Sequence, residues 1–186
     1  MSRIAPSRHP ASCTCPGHPL DPSMRVRDAL SAYLDENGFT RAAYDDAWTK
    51  ASFFGLPLAV PNTKRHRWAI MLHDLHHVAT GFGTDLPGEG EVSAWEVRGG
   101  LGGLDLYVTS IVLAGALAGV LLVPRRTLRA YRAAVANLFH ASVDYEALLD
   151  GTVGELRERL GVPREGLATA PRLLHPDAPR AGLAHA

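Results

Sequence analysis

Cysteine is scarce: the 186-residue chain has two, Cys13 and Cys15, one residue apart. Such a pair cannot frame a disulfide-stapled secreted fold, so a reducing, cytoplasmic setting is expected. A surplus of charge is lacking too. The chain has 19 Lys plus Arg against 19 Asp plus Glu, a formal net charge of +0. The basic excess of a nucleic-acid binder is therefore missing, and no nucleic-acid partner is expected. Near the start there is no apolar run of the kind a secretory signal needs. Instead Pro6, Pro10, Pro16, Pro19 and Pro22 punctuate residues 1–23, which are predicted to form a disordered leader. Pro171, Pro176 and Pro179, scattered among Ala, Arg and Gly, make 168–186 a disordered tail on the same grounds. Internal repeats are absent. No segment alternates polar and apolar residues for long enough to demand a strand.

What is present is a helical body, 24–167. A hydrophobic content of 46% with 20% charged residues excludes a wholly disordered chain. A domain of this size buries roughly two thirds of its unfolded surface and needs no disulfide or metal to fold. Residues 28–37 place Ala29, Leu30, Tyr33 and Leu34 at helical spacing before Gly38. Residues 40–54 read as a helix capped by Thr40, with Ala43, Tyr44, Ala47, Trp48 and Ala51 on one face. A third helix, 64–80, is closed by Gly81. The loop 81–88 leads to a helix over 89–98, which the glycines of 99–103 break. A long apolar helix, 104–123, stops at Pro124, and two more follow over 126–141 and 145–160. The fold class is all-α, a single-domain helical bundle.

The apolar helix has two readings. Residues 106–123 carry no charge, a length at the lower edge of what spans a bilayer. Gly115 and Gly119 have the spacing that lets membrane helices approach closely, and Arg125 and Arg126 follow as a cytoplasmic flank would. Against a span stand Asp105 at its start and Tyr107, Thr109 and Ser110 within it. The short length favours a helix packed centrally among others, apolar all round, whose small residues leave room for a long apolar ligand. Arg125, Arg126 and Arg129 would then add peripheral attachment to the inner face of an anionic membrane.

The chemistry gathers in His73-Asp74-Leu75-His76-His77 on the third helix. At about 100° per residue, His73, His77 and Asp74 fall within one face. Two imidazoles four residues apart on a helix are the arrangement that zinc-binding HExxH helices use. Asp74 stands where those sites carry a Glu, able to reach the metal itself or to orient a water bound there. A further ligand must come from elsewhere. Glu89 is the best candidate because a loop can fold it back onto this helix; Glu91 and Asp85 compete, and His76 can substitute for either histidine. The bland alternative is a polar surface face. The preceding Trp68-Ala69-Ile70-Met71-Leu72 is core-like, however, which turns these polar groups inward, where they need partners. The ion expected is zinc, with another divalent ion as the alternative.

The run His73-Asp74-Leu75-His76-His77, eleven residues from Val78 to Gly88, and then Glu89 resembles the HDxxH-x11-E zinc motif of the coenzyme Q biosynthesis protein four family. Thr80-Gly81, Gly88-Glu89, Tyr145-Glu146-Ala147-Leu148-Leu149 and the stretch 155–161 are similar as well, and the resemblance covers 30–167. The glycines of 99–103 and the stretch Trp95-Glu96-Val97-Arg98 look like a bacterial subgroup. The resemblance implies that His73, Asp74, His77 and Glu89 are the zinc ligands, and that a helical bundle holds a prenyl-tailed lipid beside the metal. It implies a role in ubiquinone biosynthesis: a lyase step that removes the C1 carboxylate of a prenylated hydroxybenzoate, within a multienzyme complex at the membrane. Asp74 or Glu89 would handle a proton in that step, with His76 close by. A homo-oligomer is expected.

Rival readings are a non-catalytic prenyl-lipid scaffold for such a complex and a related enzyme of secondary metabolism. An HD-type phosphohydrolase needs another histidine well upstream, and there is none between His18 and His66. Cys13 and Cys15 with His9 and His18 can chelate a metal, but a bland tail is the stronger reading of that segment.

Overall fold

The computed structural model describes residues 20–53, 56–140 and 142–169. Of the disordered leader expected over 1–23 and tail expected over 168–186, residues 1–19 and 170–186, with the Cys13, Cys15, His9 and His18 group, lie outside the described residues. Residues 20–23 correct the expectation: Leu20 is buried in the core cluster, and the Pro22 carbonyl accepts from the Gly154 N–H. The fold is mostly helical, as the sequence implies. Among the described residues there are seven helices: α1 Val26–Asn37, α2 Lys64–Thr80, α3 Leu86–Gly99, α4 Leu106–Leu122, α5 Pro124–Ala133, α6 Tyr145–Asp150 and α7 Val153–Leu160. A short 3-10 turn, Arg41–Asp45, and a two-stranded antiparallel hairpin, β1 Trp48–Phe53 and β2 Leu56–Pro61, join α1 to α2.

The hairpin corrects the helix expected over 40–54. Thr40 does cap, accepting from the Ala43 N–H, but the turn it starts lasts five residues and buries none of them. An apolar stripe holds a helix only when it has something to pack against. Trp48, on the face that was to supply that stripe, is 53% exposed. Instead the chain pairs back on itself from Trp48↔Pro61 to Phe53↔Leu56.

Helix α2 runs from the Thr63 cap, which accepts from the His66 N–H, to Gly81, whose φ of 80° closes it. Helix α3 begins three residues before the expected start. Pro87 sits in its first turn, where a missing N–H costs nothing because those amides have no intrahelical acceptor. The helix expected over 145–160 is two. Thr152 breaks it by forming a reciprocal capping box with Glu155, so the amide needs of a new N-terminus are met in place. The helix expected over 126–141 stops at Ala133, and an irregular segment carries the chain past Leu138.

Helix α4 is not central, contrary to expectation. Val108, Val112, Ala118 and Gly119 are buried, whereas Leu106 is 86% and Leu121 71% exposed, with Leu113, Leu117 and Val120 exposed between them. The buried face crosses α3 at glycine. A Cβ built on Gly90 would lie 2.4 Å from the Gly119 Cα, and one on Gly115 would lie 2.4 Å from Ser93 Oγ. The Gly115–Gly119 spacing thus serves a close approach inside the domain. Among the described residues no helix is long and apolar enough to cross a membrane.

One core cluster unites α1, α2, α3, α6 and α7, with Leu30, Leu72, Leu75, Trp95, Leu149 and Leu160 fully buried. Arg157 fastens it from within, donating to the carbonyls of Ala79, Leu20 and Arg164.

Candidate metal centre

Two helices meet at this site because α2 ends and α3 begins beside it. His73 and His77 stand one turn apart on α2, and the short connection from Gly81 returns the chain so that the first turn of α3 presents Glu89. Three ligand atoms converge there. The Nε2 atoms of His73 and His77 are 3.1 Å apart. His73 Nε2 lies 3.2 Å from Glu89 Oε2, and His77 Nε2 lies 3.4 Å from Glu89 Oε1. Ligands about 2.0–2.1 Å from a tetrahedral zinc are separated by roughly 3.3 Å, so these distances match the edges of such a site.

The hydrogen bonds behind the rings aim them. His77 Nδ1 donates to the Phe82 carbonyl at 3.1 Å, which leaves its Nε2 as the lone-pair atom. His73 Nδ1 is 2.7 Å from Glu96 Oε1. A carbonyl and a carboxylate behind the outer nitrogens are what metal-binding histidines almost always have. Tyr33 stacks on the His77 ring at 5.6 Å and holds its plane.

The electrostatics follow from burial against these partners. Burial alone would lower the His73 pKa; the carboxylates of Glu96 and Glu89 outweigh it and raise it well above the usual value. Burial likewise opposes ionisation of Glu89, but His77 and His73 hold it far below the ordinary carboxylate range. Glu96, also buried, is brought down to about 2 by His73 and His76. Among the described residues, the ion-pair partners of Glu89 and Glu96 are histidines alone. A divalent ion held among the converging atoms would offset the charge of the two carboxylates. The side chain of Glu89 is 37% exposed and that of His73 23%, whereas that of His77 is fully enclosed, so the cluster opens to solvent on its Glu89 side. His73, His77 and Glu89 together form a group able to hold a metal ion.

The remaining residues singled out from sequence lie around this group. Asp74 is buried and turned toward two hydroxyls, accepting from Tyr33 at 3.3 Å and from Tyr44 in a shorter bond. Burial raises its pKa against the pull of His73 and the Tyr44 hydroxyl. Burial and the neighbouring Asp74 raise both tyrosines in turn. His76 is fully buried, with Nδ1 on Glu96 and Nε2 accepting from the Leu138 N–H. Glu91 pairs with Arg126 at 2.6 Å on another face of α3, and Asp85 occupies the position before that helix. Sequence reasoning missed Glu96, Tyr33 and Tyr44 as parts of the site. For Glu96 there was a signal: it follows Glu89 by seven residues, two helical turns, which puts both on one face.

No protein-family model, curated protein or solved structure matches the chain.

Proposed function

We propose that the chain binds one zinc ion through His73, His77 and Glu89 and uses it to decarboxylate a hydroxybenzoate-type, prenylated aromatic acid. The observation that carries the metal reading is the commitment of both outer nitrogens. With His77 Nδ1 on the Phe82 carbonyl and His73 Nδ1 on Glu96, both Nε2 atoms turn toward Glu89. Two histidines and a glutamate with an open side suit a catalytic ion, whereas structural zinc favours closed, cysteine-rich sets. That contrast favours an enzyme over a lipid scaffold. The carboxylic acid substrate rests on the motif resemblance to the coenzyme Q biosynthesis protein four family.

When bound, the ion supplies Lewis-acid stabilisation for the negative charge that develops as the carboxylate leaves. The chain's own part is to hold and deliver a proton. In the step, the bond from the ring carbon to the carboxylate breaks, carbon dioxide departs, and the ring carbon takes up one proton. Asp74 Oδ2, bonded to the Tyr44 hydroxyl beside the three ligands, is the group to hold that proton. His76 positions the site from behind through Glu96. The leucines of α4 are exposed, and α5, which follows it directly, carries exposed Arg125, Arg129 and Arg132, while Arg126 is taken up by Glu91. This combination favours peripheral docking on an anionic membrane, where a prenyl-tailed substrate would reside.

The test is to load the purified chain with zinc, supply hydroxybenzoate-type acids with and without a prenyl tail, and follow carbon dioxide release. Release that stops on chelation and returns with zinc supports the proposal. Tight binding of the acids with no turnover on any of them replaces it with the scaffold reading.

A further inference from the structure

Glu96 sits at a junction that metal binding through three ligands does not by itself require. It is fully buried, and its Oε1 lies 2.7 Å from two imidazole nitrogens at once, His73 Nδ1 and His76 Nδ1. Its other oxygen is buried without a hydrogen-bond partner among the described residues. A buried carboxylate is costly, and one that puts its contacts on a single oxygen is kept for what that oxygen does.

The protonation pattern can be worked from the far end. The Leu138 amide is a donor only, and it points at His76 Nε2 at 3.0 Å. His76 Nε2 must therefore be the bare, accepting nitrogen. The His76 proton is then on Nδ1, donated to Glu96 Oε1. Glu96 Oε1 accepts on that side, and the same oxygen lies 2.7 Å from His73 Nδ1, placed to accept there as well. With a proton held on Nδ1, the nitrogen left to bind a metal is Nε2, the atom that faces His77 and Glu89. The rings of Trp95 and Phe139 flank His76 at centroid distances of 5.1 and 4.9 Å.

We infer that Leu138, His76 and Glu96 form a tautomer lock: a backbone amide in the segment after α5 fixes the proton of His76, which fixes Glu96, which presents His73 Nε2 to the metal. Glu96 and His76 are positioning residues, acting through His73. The inference rests on the proposal that His73 is a metal ligand and adds what sets its affinity. Removing a carboxylate behind a ligating histidine typically weakens metal binding about 10–100-fold.

Zinc affinity is measured by competition with a chromophoric chelator for the wild type, Glu96→Gln, His76→Phe and a control, Val92→Ala, buried on the same helix but outside the site. Melting temperatures are taken in excess chelator, so that fold stability is read apart from metal. Glu96→Gln should bind zinc about 10–100-fold more weakly, His76→Phe should show a smaller loss, and Val92→Ala should melt earlier while keeping its affinity. Long-range proton–nitrogen correlation spectra of the wild type provide a readout that needs no variant to fold: His76 should carry its proton on Nδ1, with Nε2 bare. Full zinc affinity in Glu96→Gln, or a His76 protonated on Nε2, overturns the lock. A wild type that binds no zinc sinks the metal proposal, and the tautomer of His76 still decides the lock.

Discussion

Replacing Gly90 by alanine tests whether the α3–α4 crossing holds Glu89 in place. The new Cβ would stand 2.4 Å from the Gly119 Cα and 2.9 Å from its nitrogen, both backbone atoms that cannot swing aside. Carbon atoms in ordinary contact are about 3.5–4.0 Å apart, so the helices must separate by about 1 Å. Overpacking of this kind costs about 1–3 kcal/mol, and a backbone-to-backbone clash belongs at the upper end. Alanine returns about 1 kcal/mol of helix propensity over glycine. The expected net loss is about 2 kcal/mol, which lowers the melting temperature by about 4–8 °C for a domain of this size. Because Glu89 is the adjoining residue, the same displacement should weaken the proposed zinc binding. Thermal melts followed by circular dichroism, with and without zinc, measure both effects. Gly102→Ala, where an added Cβ meets nothing within 4 Å, is the matched control and should melt close to the wild type. A Gly90→Ala protein that melts at or above the wild-type temperature would refute the packing argument.

Three further outcomes are expected. Arg157→Met strips the donors from the carbonyls of Ala79, Leu20 and Arg164 and should cost about 2–3 kcal/mol in denaturant unfolding; a loss under about 0.5 kcal/mol would show the clasp to be idle. Burial lowers the His66 pKa, so below its unfolded value of 6.5 the unfolded chain binds a proton that the folded chain does not, and this contribution to stability falls as pH drops. The stability of the wild type minus that of His66→Phe should therefore fall from pH 8 toward pH 5, and a difference that rises would reverse the assignment. Leu117→Glu together with Leu121→Glu, both on the exposed face of α4, should abolish co-flotation with vesicles containing anionic lipid while leaving zinc content unchanged. Undiminished flotation would remove that face from membrane docking.

The parts of the fold legible in the sequence are those whose signals are local. Thr63 and Gly81 bracket α2 because capping acts within one turn, so the helix bearing the histidines could be placed to the residue. The hairpin could not. Ala43, Ala47 and Ala51 have helical spacing, but whether a stripe finds a partner is a tertiary fact, and here Ala43, Ala47 and Trp48 stay exposed while Tyr44 alone of the described side chains on that face packs against the core. The position of α4 was hidden for a related reason: a helix apolar all round reads the same in a core as on a surface, and the Gly90–Gly119 contact that decides it joins residues far apart in sequence. At the site, the four-residue step from His73 to His77 was readable and so was Glu89. Asp74 was readable as a neighbour of the site, but Tyr33 and Tyr44, which hold its carboxylate, come from a helix and a turn that no motif connects to it.

The measurement that bears most directly on the proposed metal centre is the zinc content of the purified chain beside that of His73→Ala, His77→Ala, Glu89→Ala and His76→Ala, each checked for helical content. The expected result is about one ion per wild-type chain, loss of the ion in the first three variants, and retention with weakened affinity in His76→Ala. Equal zinc in all five proteins, or loss confined to His76→Ala, would contradict a centre built from His73, His77 and Glu89.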